Sequence, residues 1–165
     1  MGYDVSIQRL GMSAVIDLQG RPDDIAKWVE GKLLAFPDAH NRYTRNEEIQ
    51  LCWIAPERWL LRSALDNEDR LLEMTRPQSA PLDISIVEVS DTLCFFEISG
   101  PDAGDIISIA APIDHHPDVF PADAISYTNL FGIKGLVMRS ATGFEIAVES
   151  SFADMLDDYL ARANA

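Results

Sequence analysis

Two stretches of this chain carry residue types in spacings suited to chemistry. Residues 93–108 read LCFFEISGPDAGDIIS, an apolar run, Ser-Gly-Pro-Asp-Ala-Gly and a helix-like run, which are the parts of a phosphate-binding loop. Such a loop needs several backbone N–H groups converging on the anion. Pro101 removes a donor at the helix entrance, and Asp102 and Asp105 would repel a phosphate. Neither G-x-x-x-x-G-K-[ST] nor G-x-G-x-x-G occurs in the chain. The stretch is therefore expected to turn a corner rather than hold a nucleotide. Residues 112–121, PIDHHPDVFP, set His115 and His116 beside Asp114 and Asp118, all metal-ligating types. Adjacent histidines in an extended segment point to opposite sides, so no metal centre is expected there. His40 reads as a loop residue, and Glu57 beside Arg58 as a surface ion pair in a tight hairpin. Trp28, Trp53 and Trp59 read as core. No Ser/His/Asp grouping stands out, and no catalytic residue is expected.

The elements that must position these residues alternate between strand and helix. A strand is predicted over 13–19. In RPDDIAKWVEGKLLAF a helical stripe follows, built from Ile25, Trp28, Val29, Leu33 and Phe36. Pro22 sits in its first turn, where a missing N–H costs nothing, and the two aspartates there favour the helix dipole. Strands at 49–54 and 58–63 flank Ala55-Pro56-Glu57, and Asp66 is placed to cap a helix over 67–76. In the second half, 84–90 and 92–98 read as a hairpin turning near Ser90-Asp91, with a helix from Pro101 to about Ala110. Strands are predicted at 125–131, 135–140 and 143–149. The last alternates Phe144, Ile146 and Val148 against Glu145 and Glu149. A closing helix carries Phe152, Met155, Leu156, Tyr159 and Leu160 on one stripe, with Ser150 or Ser151 as its cap.

The halves echo one another. IDLQGRPDDIAKWV parallels FEISGPDAGDIISI, and CWIAPERWLLRSALDNEDRLLEM parallels VMRSATGFEIAVESSFADMLDDYL. The expected fold class is α+β, with two βαββα-like units of antiparallel sheet and packed helices. The chain is read as one compact domain over 1–165, with similar halves at about 1–80 and 81–165.

Composition narrows the function classes. With 13 basic and 27 acidic residues the net charge is −14, which disfavours nucleic acid and anionic membranes and suits a basic face on another protein. No apolar run is long enough to span a bilayer, and the N-terminus lacks a signal-peptide core. Cys52 and Cys94 read as two buried thiols or, as the less favoured alternative, one disulfide. A reducing cytoplasm is the expected compartment.

Three stretches together carry a family resemblance: CWIAPERWLL, VEVSDTLCFFEISGPDAGDIIS…APIDHHPDVFP and TGFEIAVESSFADMLDDYL. They resemble the gamma subunits of heterotetrameric sarcosine oxidases, short relatives of the aminomethyltransferase (glycine-cleavage T-protein) fold, over roughly residues 49–162. The resemblance implies a complex in which an alpha subunit binds NAD and carries a folate-binding domain. A beta subunit carries FAD, and FMN lies between the two. Such a complex demethylates sarcosine to glycine, reduces O2 to hydrogen peroxide and passes the one-carbon unit to tetrahydrofolate. The resemblance assigns the gamma subunit no cofactor of its own and a packing role, chiefly against alpha. Folate-using relatives carry paired glycines and paired aspartates just before the strand at 49–54. Here that region reads FPDAHNRYTRNEEIQLCWI, with neither.

The contact residues expected for a partner are His115, His116, Val119 and Phe120, because their loop must lie at the surface. Three alternatives stay open: a gamma-type subunit acting on another N-methyl amino acid, a free-standing folate-binding one-carbon protein, and a stand-alone interaction domain.

Overall fold

The computed structural model describes residues 2–165. Its first elements are β1 (Ser6–Arg9), β2 (Ser13–Gln19), α1 (Pro22–Trp28), β3 (Tyr43–Arg45), β4 (Ile49–Ala55), β5 (Arg58–Ala64) and α2 (Glu68–Thr75). After them come β6 (Ser85–Glu88), β7 (Leu93–Ser99), α3 (Ala103–Ala110), β8 (Ile125–Leu130), β9 (Ile133–Arg139), β10 (Gly143–Glu149) and α4 (Ala153–Ala163). The chain forms two compact units, one of Met12–Ser90 and one of residues 2–11 with Asp91–Ala165.

In the first unit the sheet runs β3-β4-β5-β2-β6, antiparallel throughout. Alternation puts Ile16, Leu18, Leu51, Trp59 and Leu61 on one face, where they close over Ile25 of α1 and Leu71 of α2. Each such side chain, once buried, contributes about 1.5–3 kcal/mol. Pro22 opens α1, with Asp23 and Asp24 in its first turn. The helix expected to reach Phe36 stops at Trp28, because Glu30 and Gly31 both take positive φ (57° and 69°). Leu33 and Phe36 still pack on the same core, from a loop. Asp66 makes no capping bond; a 3-10 turn over Leu65–Asn67 leads into α2.

The second unit has the sheet order β1-β7-β10-β9-β8, again antiparallel. Phe96, Ile98, Phe144, Ile146 and Val148 face Ile106 and Ile107 of α3 and Leu156 and Leu160 of α4. Pro101 precedes α3 rather than starting it. Asp102 Oδ2 accepts a hydrogen bond from the Asp4 amide at 2.8 Å. Ser150 and Ser151 make no capping bond to α4; a 3-10 turn over Ser150–Phe152 precedes it, and Ser150 Oγ donates to the Asp91 carbonyl at 2.8 Å.

The expected hairpin over 84–98 does not form. β6 pairs with β2 in the first unit, whereas β7 pairs with β1 and β10 in the second. The Ser90 hydroxyl accepts from the Val15 amide at 2.9 Å, and the Thr92 carbonyl accepts from the Ser150 amide at 2.9 Å. Ser90-Asp91 is therefore a crossing between units and not a turn. β1 behaves in the same way, leading into β2 yet pairing with β7. Each repeat thus lends its opening strand to the other, an exchange within one chain. The registers coincide: Gln19 faces Arg58 and Ser85, while Ser99 faces Gly143 and Ser6.

The corner after β2 matches the corner after β7. Gly20 and Gly100 take φ of 137° and 123°, accessible to glycine at little cost. A Cβ on Gly20 would lie 2.8 Å from Ile84 Cγ2, and one on Gly100 would lie 2.6 Å from the Asp4 carbonyl oxygen. Each glycine makes room for the backbone leading into the lent strand. The opening motif SGPDAG is such a corner.

Candidate functional site

The loop at 112–121 hangs from the end of α3 and is fastened by a cation. Arg139, the last residue of β9, lies opposite Phe144 of β10. Its guanidinium sits 4.4 Å from the centroid of the Phe144 ring. From there Nε and Nη2 donate to the Phe120 carbonyl at 3.3 and 3.1 Å, and Nη2 also donates to the His115 carbonyl. Burial pushes the Arg139 pKa down from its ordinary value, and the group still remains a cation. The Val119 and Phe120 amides close the loop on the His116 carbonyl, at 2.9 and 2.8 Å.

The four expected contact residues fall into different roles. The Phe120 ring is buried, 6% exposed, and lies near-parallel to Phe144 with centroids 6.5 Å apart. Its ring lies in the core rather than at the surface expected of the loop, because its carbonyl and ring are both held by the clamp. The half-buried His115 ring meets Phe144 edge-on at 5.7 Å, with Nε2 2.8 Å from Ser108 Oγ. Gly104 leaves space for that ring, since a Cβ there would lie 3.0 Å from His115 Cε1. His116 and Val119 are exposed, Val119 by 57%. The Asp114 carboxylate accepts from the His116 amide at 2.9 Å, and His116 Nδ1 accepts from the Asp118 amide at 3.3 Å. The two imidazoles therefore have separate partners. Among the described residues no three His, Cys, Asp or Glu side chains gather as a metal site.

In the first unit the position opposite Trp59 that matches Arg139 is Trp53. An aromatic cluster takes the clamp's place there: Phe36 meets Trp59 edge-on at 5.0 Å, and His40 lies 4.3 Å from Trp53. His40 is an exposed loop residue, as expected, and rests on that ring. Arg58 does not pair with Glu57. It grips the buried Asp17 instead, with Nε 3.0 Å and Nη2 2.5 Å from Oδ2. Trp28 receives Arg76 on its face at 4.4 Å. Cys52 and Cys94 are free thiols, so the disulfide alternative is not realised. Of the carboxylates in the stretch compared with folate-using relatives, Glu48 is engaged by Arg70 at 2.7 Å.

Sequence reasoning passed over Arg139 and Asp17. A signal existed for both: Asp17 is the one charge in β2, and Arg139 ends the apolar run of β9 that follows Lys134, where burial requires a partner.

Three comparisons set this geometry beside known proteins. The model of the sarcosine oxidase, gamma subunit family matches residues 32–165. The chain belongs to this family. Its fold is that of a chain in the heterotetrameric sarcosine oxidase from Corynebacterium sp. U-96, solved in complex with pyrrole 2-carboxylate. That match has a TM-score of 0.84 at 19% identity and covers 98% of this chain and 86% of that one. A glycine cleavage system aminomethyltransferase T from Bartonella henselae shares the fold at TM-score 0.68 and 14% identity, over 95% of this chain and 45% of that one. No curated protein sequence matches significantly. Family and fold agree: two antiparallel five-stranded sheets with helices, as expected of a sarcosine oxidase gamma subunit with an aminomethyltransferase-like fold.

Proposed function

We propose that this chain is a non-catalytic packing subunit of a heterotetrameric oxidase that demethylates sarcosine or a closely related N-methyl amino acid. The single observation that carries the reading is the family match over residues 32–165 together with a fold shared along nearly the whole chain with a subunit of such an oxidase. The charged groups support a scaffolding role: Asp17, Glu48, Arg58 and Arg139 are all spent on partners within their own units. In this reading the chain packs chiefly against the alpha subunit and binds no cofactor alone. FAD, FMN, NAD and tetrahydrofolate are then the business of the other subunits, and the complex works in the cytoplasm. Among the described residues no helix is long and apolar enough to cross a membrane.

Co-expression of the tagged chain with the alpha and beta subunits of its source tests the reading. Recovery of a yellow complex that oxidises sarcosine supports it. A colourless chain recovered alone, binding tetrahydrofolate in equilibrium dialysis, would replace it with a free-standing folate protein.

A further inference from the structure

The two repeats also part company where a hairpin tip approaches the helix that ends the repeat. In the first unit this approach is closed by polar groups. Arg70 of α2 reaches the β3–β4 tip, its Nη2 2.7 Å from Glu48 Oε2. Asn46 Oδ1 accepts from the amides of Glu48 and Ile49 at 2.9 and 2.8 Å. The Ser63 hydroxyl donates to the Glu48 carbonyl at 2.7 Å.

Register places Lys134 of the second unit where Glu48 stands, since Ile49 faces Ser63 as Gly135 faces Val148. Counting from the 3-10 turns, Met155 of α4 stands where Arg70 stands in α2. The ion pair therefore has no counterpart here. The β8–β9 tip is a two-residue turn, Phe131-Gly132, with φ of 50° and 88°. The Phe131 ring lies 5.3 Å from Tyr159 of α4. Between tip and helix opens a groove of about 470 Å³, lined by Phe131, Ile133, Phe152 and Met155 together with Lys134 and Glu149. Phe152 and Met155 are each 39% exposed.

Its surroundings are strongly acidic. α4 carries exposed Asp154, Asp157 and Asp158, and the residues of this unit include thirteen carboxylates against four cations. A second copy of the chain would bring the same net charge of −14 to the contact and be repelled. An apolar floor within a negative field suits an apolar side chain flanked by Lys or Arg.

We propose that this groove docks such a segment: an apolar anchor between basic residues, presented by a partner subunit of the oxidase. The inference rests on the subunit reading above and moves the principal contact away from the loop at 112–121. One repeat bridges the approach with its own ion pair, and the other leaves it unbridged for a neighbour.

The test exchanges the two solutions. The double variant K134E/M155R installs in the second unit the charges that close the first. Co-expressed with the partner subunits, it is expected to fold with an unchanged thermal midpoint and to bind them about tenfold more weakly or worse. Arg70→Ala is expected to leave assembly unchanged, and wild-type binding is expected to weaken with added salt. Phe152→Asp supplies an independent reading should the double variant fold poorly. Full assembly by K134E/M155R and by Phe152→Asp, alongside a wild-type chain that assembles, overturns the groove and leaves the subunit reading standing. A wild-type chain that ignores the flavoprotein subunits overturns both. A homodimer in sedimentation, abolished by Phe152→Asp, identifies a second copy as the occupant and overturns the basic-segment assignment.

Discussion

The guanidinium of Arg139 lies 4.4 Å above the Phe144 ring and from that seat holds the carbonyls of both His115 and Phe120. One side chain thereby joins two strands to a ten-residue loop with little regular structure. Removing it leaves two carbonyls without their donor and a ring face bare. Arg139→Ala is expected to cost about 2–4 kcal/mol in chemical denaturation. Amide exchange at Val119 and Phe120 should quicken more than exchange in β2. Arg139→Lys should recover only part of the loss, because one ammonium cannot reproduce the planar fork.

Two neighbours in that loop should separate cleanly. Val119 is 57% exposed and Phe120 is 6% exposed. Val119→Asp is expected to stay within about 0.5 kcal/mol of the parent, whereas Phe120→Asp, which buries an unpaired carboxylate, should cost more than about 3 kcal/mol. Equal effects in a thermal melt would refute the placement of the ring in the core.

The corner glycines offer a paired test. Gly20→Ala and Gly100→Ala each force a Cβ against backbone or side chain at positive φ, and each is expected to cost about 2–4 kcal/mol. Gly31→Ala is a useful contrast: its φ is also positive, but a Cβ there meets nothing within 4 Å. It should therefore cost only about 1 kcal/mol. Urea denaturation of the three variants decides the matter.

Glu48 has its pKa held down by its hydrogen bond and charge contact with Arg70. A depressed carboxylate stabilises the fold above the unfolded value of about 4.5 and loses that contribution as pH falls through the folded value. Arg70→Ala should release Glu48 upward toward that ordinary value, as followed by NMR titration of its side-chain carbon. The difference in stability between parent and variant should shrink below pH 4.5. The pair is exposed to solvent, so the stability effect will be small.

How far could this have been read from the chain alone? The hairpin β4–β5 and the strand β10 were legible because their signals are local: alternation, Pro56 between two runs, and carboxylates on the outward face. The α+β repeat was legible because both copies spell the same strand–Gly–Pro–Asp–helix corner. β6 and β7 misled because two strands four residues apart look alike whether they pair with each other or with strands far away. β1 and β3 are short, polar and mostly edge-exposed, so their pattern carries little weight. The α1 stripe overran its helix because Leu33 and Phe36 face the same core from a loop, and periodicity cannot tell the two apart. At the candidate site the loop was found, yet its holder was not. Arg139 gains meaning only from Phe144 opposite and from a loop about twenty residues upstream.

The lending of β1 to the second sheet also orders events at the ribosome. Ser6–Arg9 is made long before its bonded neighbour Leu93–Ser99, whereas Met12–Ser90 contains every strand of its own sheet. The nascent chain can thus finish its first unit while its leading strand waits unpaired. A cut between Ser90 and Asp91 would not yield two equal pieces: one would keep all five strands of its sheet, and the other would lose an edge.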